Sequence, residues 1–141
     1  VTMILQESLR LYSPIPLTAR EATETVKLGK LTIPAGTQLS ILIGMLHRNP
    51  DIWGDDANEF KPQRFSEGFS NASKIQSSFI PFSSGPRVCL GINFTMIEAK
   101  IALSMILKCF SFELSPNYLH APFPVLTLTP QYGAPMILRR L

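Results

Sequence analysis

Ten consecutive residues, Phe82-Ser83-Ser84-Gly85-Pro86-Arg87-Val88-Cys89-Leu90-Gly91, carry the densest chemistry in this chain of 141 residues. One cysteine lies between two glycines, two positions after an arginine, where a loop enters a long apolar helix. A thiol at a helix entrance meets the positive end of the helix dipole and free backbone N–H groups, which favours the thiolate. A thiolate is a soft ligand and can hold a haem iron from one side. Gly85 and Gly91 would let the backbone turn tightly and approach a flat macrocycle where a Cβ would collide. Arg87 can meet a haem propionate, which a guanidinium does bidentately. The plain alternative is a buried structural cysteine in a glycine-containing turn.

The other candidate chemistry of Cys89 is weaker. A helix between Cys89 and Cys109 separates their Cα atoms by about 30 Å at 1.5 Å per residue, and a disulfide needs less than about 7 Å. His47 and His120 show no ligand spacing with either cysteine, which argues against zinc, and His47 has no second ligand nearby.

Several elements must position this stretch. Val1, Ile4, Leu5, Leu9 and Tyr12 form a helical stripe that ends before Pro14. On that helix Glu7 and Arg10 share a face at i, i+3. Gly29-Lys30 suits a two-residue hairpin turn between Val26–Leu28 and Leu31–Ile33. Ile33-Pro34-Ala35-Gly36 reads as a type I turn. Gln38 to Met45 reads as one apolar strand buried on both faces, and His47 to Trp53 as a turn and short helix. Ser66 to Ser78 reads as a polar surface loop. The helix after Gly91, Ile92 to Phe110, is apolar nearly all round, which belongs deep inside a protein larger than this chain. The last strands, Leu126 to Thr129 and Met136 to Leu138, are expected to pair as a hairpin with Pro130–Pro135 at its tip.

The cysteine stretch resembles the F-x-x-G-x-R-x-C-x-G loop of the cytochromes P450 at all five fixed positions, Phe82, Gly85, Arg87, Cys89 and Gly91. Glu7 and Arg10 resemble the family's E-x-x-R pair. Pro62-Gln63-Arg64-Phe65 resembles its P-E-R-F motif, with Gln63 in place of the usual Glu. The resemblance implies an interlocked triad of Glu7, Arg10 and Arg64 behind the haem. One carboxylate and two planar fork donors suit that role. It also implies that Arg20 reaches a propionate, and that Ile15, Leu17, Thr18, Tyr132 and Ala134 contact substrate. For Arg20 a surface strand residue, and for the tip an ordinary exposed turn, are equally open readings.

The implied fold is mainly α with a smaller β region, residues 1–141 forming the C-terminal part of a single cytochrome P450 domain. The Phe-Lys-Pro-Gln-Arg-Phe stretch and the Gln131–Pro135 tip look most like the plant clan that includes secologanin synthase. The implied activity is a haem-thiolate monooxygenase with haem b. It would take electrons from NADPH-cytochrome P450 reductase and insert one atom of O2 into a small lipophilic molecule. The implied location is the cytoplasmic face of the endoplasmic reticulum membrane, through an N-terminal anchor outside this chain. No catalytic residue beyond the iron ligand is identified, and the chain by itself is expected to be inactive and to fold poorly. A haem-thiolate sensor, a related isomerase or dehydratase, and a β-rich interaction module remain open. The net charge of +3 with no clustered basic run argues against nucleic acid.

Overall fold

The computed structural model describes residues 1–141. Helix α1 (Thr2–Leu11) stops where Tyr12 leaves helical geometry (φ −130°, ψ 54°), its N–H still bonded to Ser8 O at 2.8 Å. Strand β1 (Thr18–Glu21) pairs antiparallel with β4 (Gln38–Ile41), Arg20 opposite Leu39. Between them β2 (Val26–Leu28) and β3 (Leu31–Ile33) form the expected hairpin, with Gly29 at φ +60° opening its turn. Helix α2 (Ile43–Leu46) and helix α3 (Pro50–Trp53) follow. The Asn49 side chain caps α3 by accepting the Asp51 N–H at 2.9 Å, and Pro50 takes the first helical position, where its missing N–H is harmless. Single 3-10 turns occur at Pro62–Phe65, Phe69–Asn71 and Gly85–Arg87. Helix α4 (Ile92–Cys109) runs directly into β5 (Phe110–Leu114), and β6 (Pro122–Pro124), β7 (Leu128–Pro130) and β8 (Met136–Arg140) complete the chain. The helices outweigh four two-stranded ribbons, as expected from the sequence.

The core lies in the middle third. Ile52, Trp53, Ala57, Phe65 and Ala72 are buried together, with Leu46 and Phe79 packed against them. The rings of Phe65 and Phe79 stand 4.9 Å apart, and Trp53 Nε1 donates to Leu46 O at 3.1 Å. Against this core α1 presents charge. Glu7 and Arg10 are wholly buried, and Arg10 Cζ lies 5.1 Å from the Trp53 ring centre. The apolar stripe of α1 is less buried, with Val1, Ile4 and Tyr12 exposed and Leu5 and Leu9 half-buried.

Three expectations are corrected. Gln38 to Met45 is not one buried strand. β4 has a neighbour on one side only, so nothing covers its other edge. The chain leaves extended geometry at Leu42 (φ −85°, ψ 81°) and turns helical, which sends Ile43 into the interior. The Gly44 N–H fixes the turn by bonding to Pro16 O at 3.0 Å.

The Pro34 turn is displaced by one residue. Thr37 N–H bonds to Pro34 O at 3.3 Å and Gly36 holds φ +80° at the third position, as a type II turn requires.

At the C-terminus, β7 and β8 do not pair with each other. β7 pairs with β6, while β8 pairs with β5 over five residues from Phe110↔Arg140 to Leu114↔Met136. Pro130 and Pro135 lack the N–H groups a direct hairpin would use next to its turn, whereas β5 offers five unbroken partners. The Pro130–Pro135 segment therefore bridges two ribbons. The polar run Ser66–Ser78 keeps to the surface except at Ala72 and Ser78, which are buried.

Burial is sparse, with 14 of 141 residues buried and an accessible surface of 10236 Å². A self-contained globule of 15.7 kDa exposes about 7,300 Å² by the usual size scaling. Much of the excess is on α4, where no residue is buried and Phe94, Ile97, Ile101 and Met105 are each more than half exposed. No helix is long and apolar enough to cross a membrane.

Candidate functional site

The cysteine loop is built from short-range bonds. Ser83 N–H bonds to Ile80 O at 3.0 Å, Val88 N–H to Gly85 O at 3.1 Å, and Cys89 N–H to Phe82 O at 2.9 Å. Gly85 sits at φ +71°, a left-handed geometry natural to glycine. Gly91, at φ −87°, needs no such freedom. A Cβ there would make ordinary contacts, 3.8 Å from Cys89 Sγ and 3.8 Å from Thr95 Oγ1, on the side of the thiol. Cys89 is exposed and unbridged. Cys109 is likewise free.

Around the thiol, Leu90 is fully exposed and Val88 is 41% exposed. Arg87 is exposed and makes no side-chain hydrogen bond. Phe82 is half-buried, lining an apolar recess of about 250 Å³ with Leu9, Pro81 and Met96. Arg20 reaches the loop from β1, its Nη2 donating to Ser83 Oγ at 2.8 Å and its Nη1 to Thr18 Oγ1 at 3.0 Å. The structure thus gathers Cys89, Phe82, Gly85, Gly91, Arg87 and Arg20. An open soft donor, a neighbouring position kept free of a Cβ, bare apolar side chains and a guanidinium without a partner suit a large, flat, anionic metal complex held from one face. These residues fit a haem.

Behind the loop, Glu7 and Arg10 form a bidentate pair, Nε to Oε2 at 2.7 Å and Nη2 to Oε1 at 2.8 Å. Arg10 Nη1 donates to His47 O at 2.7 Å and to Ala57 O at 2.6 Å, and Nη2 also reaches Glu59 O at 3.1 Å. All five guanidinium donors are used. Glu7 Oε1 accepts a further bond from the Lys61 N–H at 2.8 Å. Arg64 joins less directly. Its Nε stands 3.7 Å from Glu7 Oε1 without a hydrogen bond, while Nη1 donates to Trp53 O at 2.9 Å and Nη2 to Asp56 Oδ1 at 2.9 Å.

Asp56 was not legible as a partner in the sequence, because it reaches Arg64 across an irregular loop. Hydrogen bonds from Lys61 and then Arg64 hold its carboxyl down to about 2. His47 was legible only as an unlikely metal ligand. It is buried, and desolvation brings its pKa down to about 4, against the partial raising effect of the Arg10 backbone. The ring is therefore neutral near pH 7, and its Nε2 accepts the Ile80 N–H at 3.0 Å.

The expected substrate-contacting residues are more dispersed. Leu128 N–H bonds to Pro14 O at 2.8 Å, which ties β7 to the segment after α1. Leu17 and Leu128 line an open depression of about 1,060 Å³, and Ala134 lines an adjoining recess of about 220 Å³ beside Leu128. Ile15 and Tyr132 are exposed and line neither. Thr18 is engaged with Arg20.

The family model described as Cytochrome P450 matches residues 1–133. The chain is 56% identical to a 7-deoxyloganic acid hydroxylase of Catharanthus roseus, 55% to an 11-oxo-beta-amyrin 30-oxidase of Medicago truncatula and 53% to cytochrome P450 72A13 of Arabidopsis thaliana. Each match covers 100% of this chain, and 27%, 27% and 28% of the respective relative. The chain thus spans about a quarter of the length of the curated relatives it matches.

Proposed function

The chain belongs to the cytochrome P450 family, and from that premise we propose that residues 1–141 form the C-terminal part of a single haem-thiolate monooxygenase domain. The observation that carries this reading is the exposed Cys89 thiol, beside Gly91 and held by the Cys89 N–H to Phe82 O bond. The thiolate of Cys89 would hold the iron of haem b. Arg87 and Arg20 would hold the propionates, Arg20 being already directed towards the loop by Ser83 and Thr18. Bound haem supplies dioxygen activation and transfer of one oxygen atom to a C–H bond. This chain supplies the ligand, its orientation and the rigid backing of Glu7, Arg10 and Arg64.

NADPH-cytochrome P450 reductase is the proposed electron donor, and the cytoplasmic face of the endoplasmic reticulum membrane the proposed site. The substrate is a small lipophilic molecule. Relatives of nearly equal identity carry names for different substrates, 7-deoxyloganic acid and 11-oxo-beta-amyrin, so likeness alone does not select one. Hydroxylase and oxidase names among the relatives support oxygen insertion over haem sensing or isomerisation.

A carbon monoxide difference spectrum of the reduced full-length protein tests this. A thiolate-type Soret band that disappears in Cys89→Ala, with substrate-dependent NADPH consumption once reductase is added, is the expected result. Haem uptake without turnover would move the assignment to a sensor, and no uptake would remove it.

A further inference from the structure

Residues 79–91 are tied to the body of the protein outside α4 by two hydrogen bonds. One is Arg20 Nη2 to Ser83 Oγ, and the other is the Ile80 N–H to His47 Nε2. The second is a main-chain anchor at the entry to the loop. It is followed directly by buried Pro81, which has no N–H to offer in its place. His47 is itself fixed from two sides. Its carbonyl accepts Arg10 Nη1 at 2.7 Å, and its ring packs against both Phe79, 5.5 Å away, and Trp53, 6.1 Å away.

We propose that His47 is a positioning residue for the iron ligand, holding the entry of the cysteine loop through the Ile80 N–H and thereby carrying the order of the buried Glu7–Arg10 pair to Cys89. The route is continuous. Arg10 fixes the His47 main chain, the His47 ring fixes Ile80, the Ile80 carbonyl accepts the Ser83 N–H, and the Phe82 carbonyl accepts the Cys89 N–H. This role needs an acceptor at Nε2, which a neutral imidazole protonated at Nδ1 provides. The Nδ1 atom makes no hydrogen bond of good geometry in its buried site, and the Ile80 N–H is the partner of Nε2.

The inference rests on the haem-thiolate reading, and its test separates the two. In the full-length holoprotein, His47→Leu removes the acceptor, His47→Gln supplies an amide oxygen, and Phe79→Leu loosens the same packing without touching the bond. The readout is the ratio of thiolate-type to thiol-type carbon monoxide complex. We expect His47→Leu to lower it about fivefold or more, since a partly buried N–H loses its acceptor, and the other two variants to stay within about twofold. Equal ratios in wild type and His47→Leu, or an equal fall in His47→Gln, overturn the proposal. A wild type without the thiolate-type band overturns the monooxygenase reading instead. If His47→Leu does not fold, 15N-histidine NMR of the wild type decides. A ring with Nε2 unprotonated and hydrogen-bonded is expected, and an Nε2–H tautomer sinks the idea.

Discussion

Arg10 is the residue on which most of the site's backing depends. Its five donors meet Glu7 twice and the carbonyls of His47, Ala57 and Glu59. Lysine has three donors and no fork. Arg10→Lys should therefore destabilise the full-length protein by about 3 kcal/mol, the range found when a buried pair loses a partner, read as a fall in denaturation midpoint with loss of haem content. Two residues give stability a pH dependence. The folded pKa of His47 is lowered from 6.5 to about 4, so between these values the unfolded chain binds the proton more readily. Its contribution is complete above pH 6.5 and is lost as pH falls towards 4. Urea midpoints across that window should fall less steeply in His47→Gln than in wild type. Asp56, lowered from 3.8 to about 2, contributes above pH 3.8 and loses its share below, a limb that Asp56→Asn should remove.

Among the elements, the loop and α4 put their glycines to different uses. Gly85 holds φ +71°, so Gly85→Ala should cost about 1 kcal/mol or more from backbone strain alone. At Gly91 the backbone suits any residue and an added Cβ meets Cys89 Sγ at an ordinary 3.8 Å. Gly91→Ala should leave stability within about 0.5 kcal/mol while lowering haem occupancy, because the methyl group enters the space beside the Cys89 thiol. Comparing melting midpoints with haem-to-protein ratios distinguishes the two effects. The sequence carried this loop well, since its fixed residues are neighbours and its hydrogen bonds span a few positions. It carried α1 only halfway. The i, i+3 spacing of Glu7 and Arg10 was readable, but their face became the fully buried one while the apolar stripe is half-buried at Leu5 and Leu9 and exposed elsewhere.

For the whole molecule, the excess of exposed surface decides. A chain that exposes 10236 Å², against about 7,300 Å² for a globule of its mass, leaves the Phe94, Ile97, Ile101 and Met105 stripe uncovered. Residues 1–141 expressed alone should bind a hydrophobic dye strongly and unfold over a broad urea range, without turnover. A sharp cooperative transition with oxygenase activity would remove the proposal that this is part of one larger domain.

The cysteine loop, the E-x-x-R pair, the Arg64 motif and the end of α1 at Tyr12 were all legible in the sequence, because each depends on residue types at fixed short spacings. Strand partners were not. β7 took β6 and β8 took β5, since pairing depends on which distant segment offers unbroken N–H and C=O rows. The run from Gln38 bent inward at Ile43 for a related reason, as β4 had no second neighbour to cover it. Only the tertiary structure could show that His47 meets Ile80 across 33 residues, or that Asp56 shares Arg64 with the triad. Such contacts have no period in the chain. They exist because folding brings a partly buried donor and its acceptor to the same place, and a donor left there without the acceptor would be destabilising.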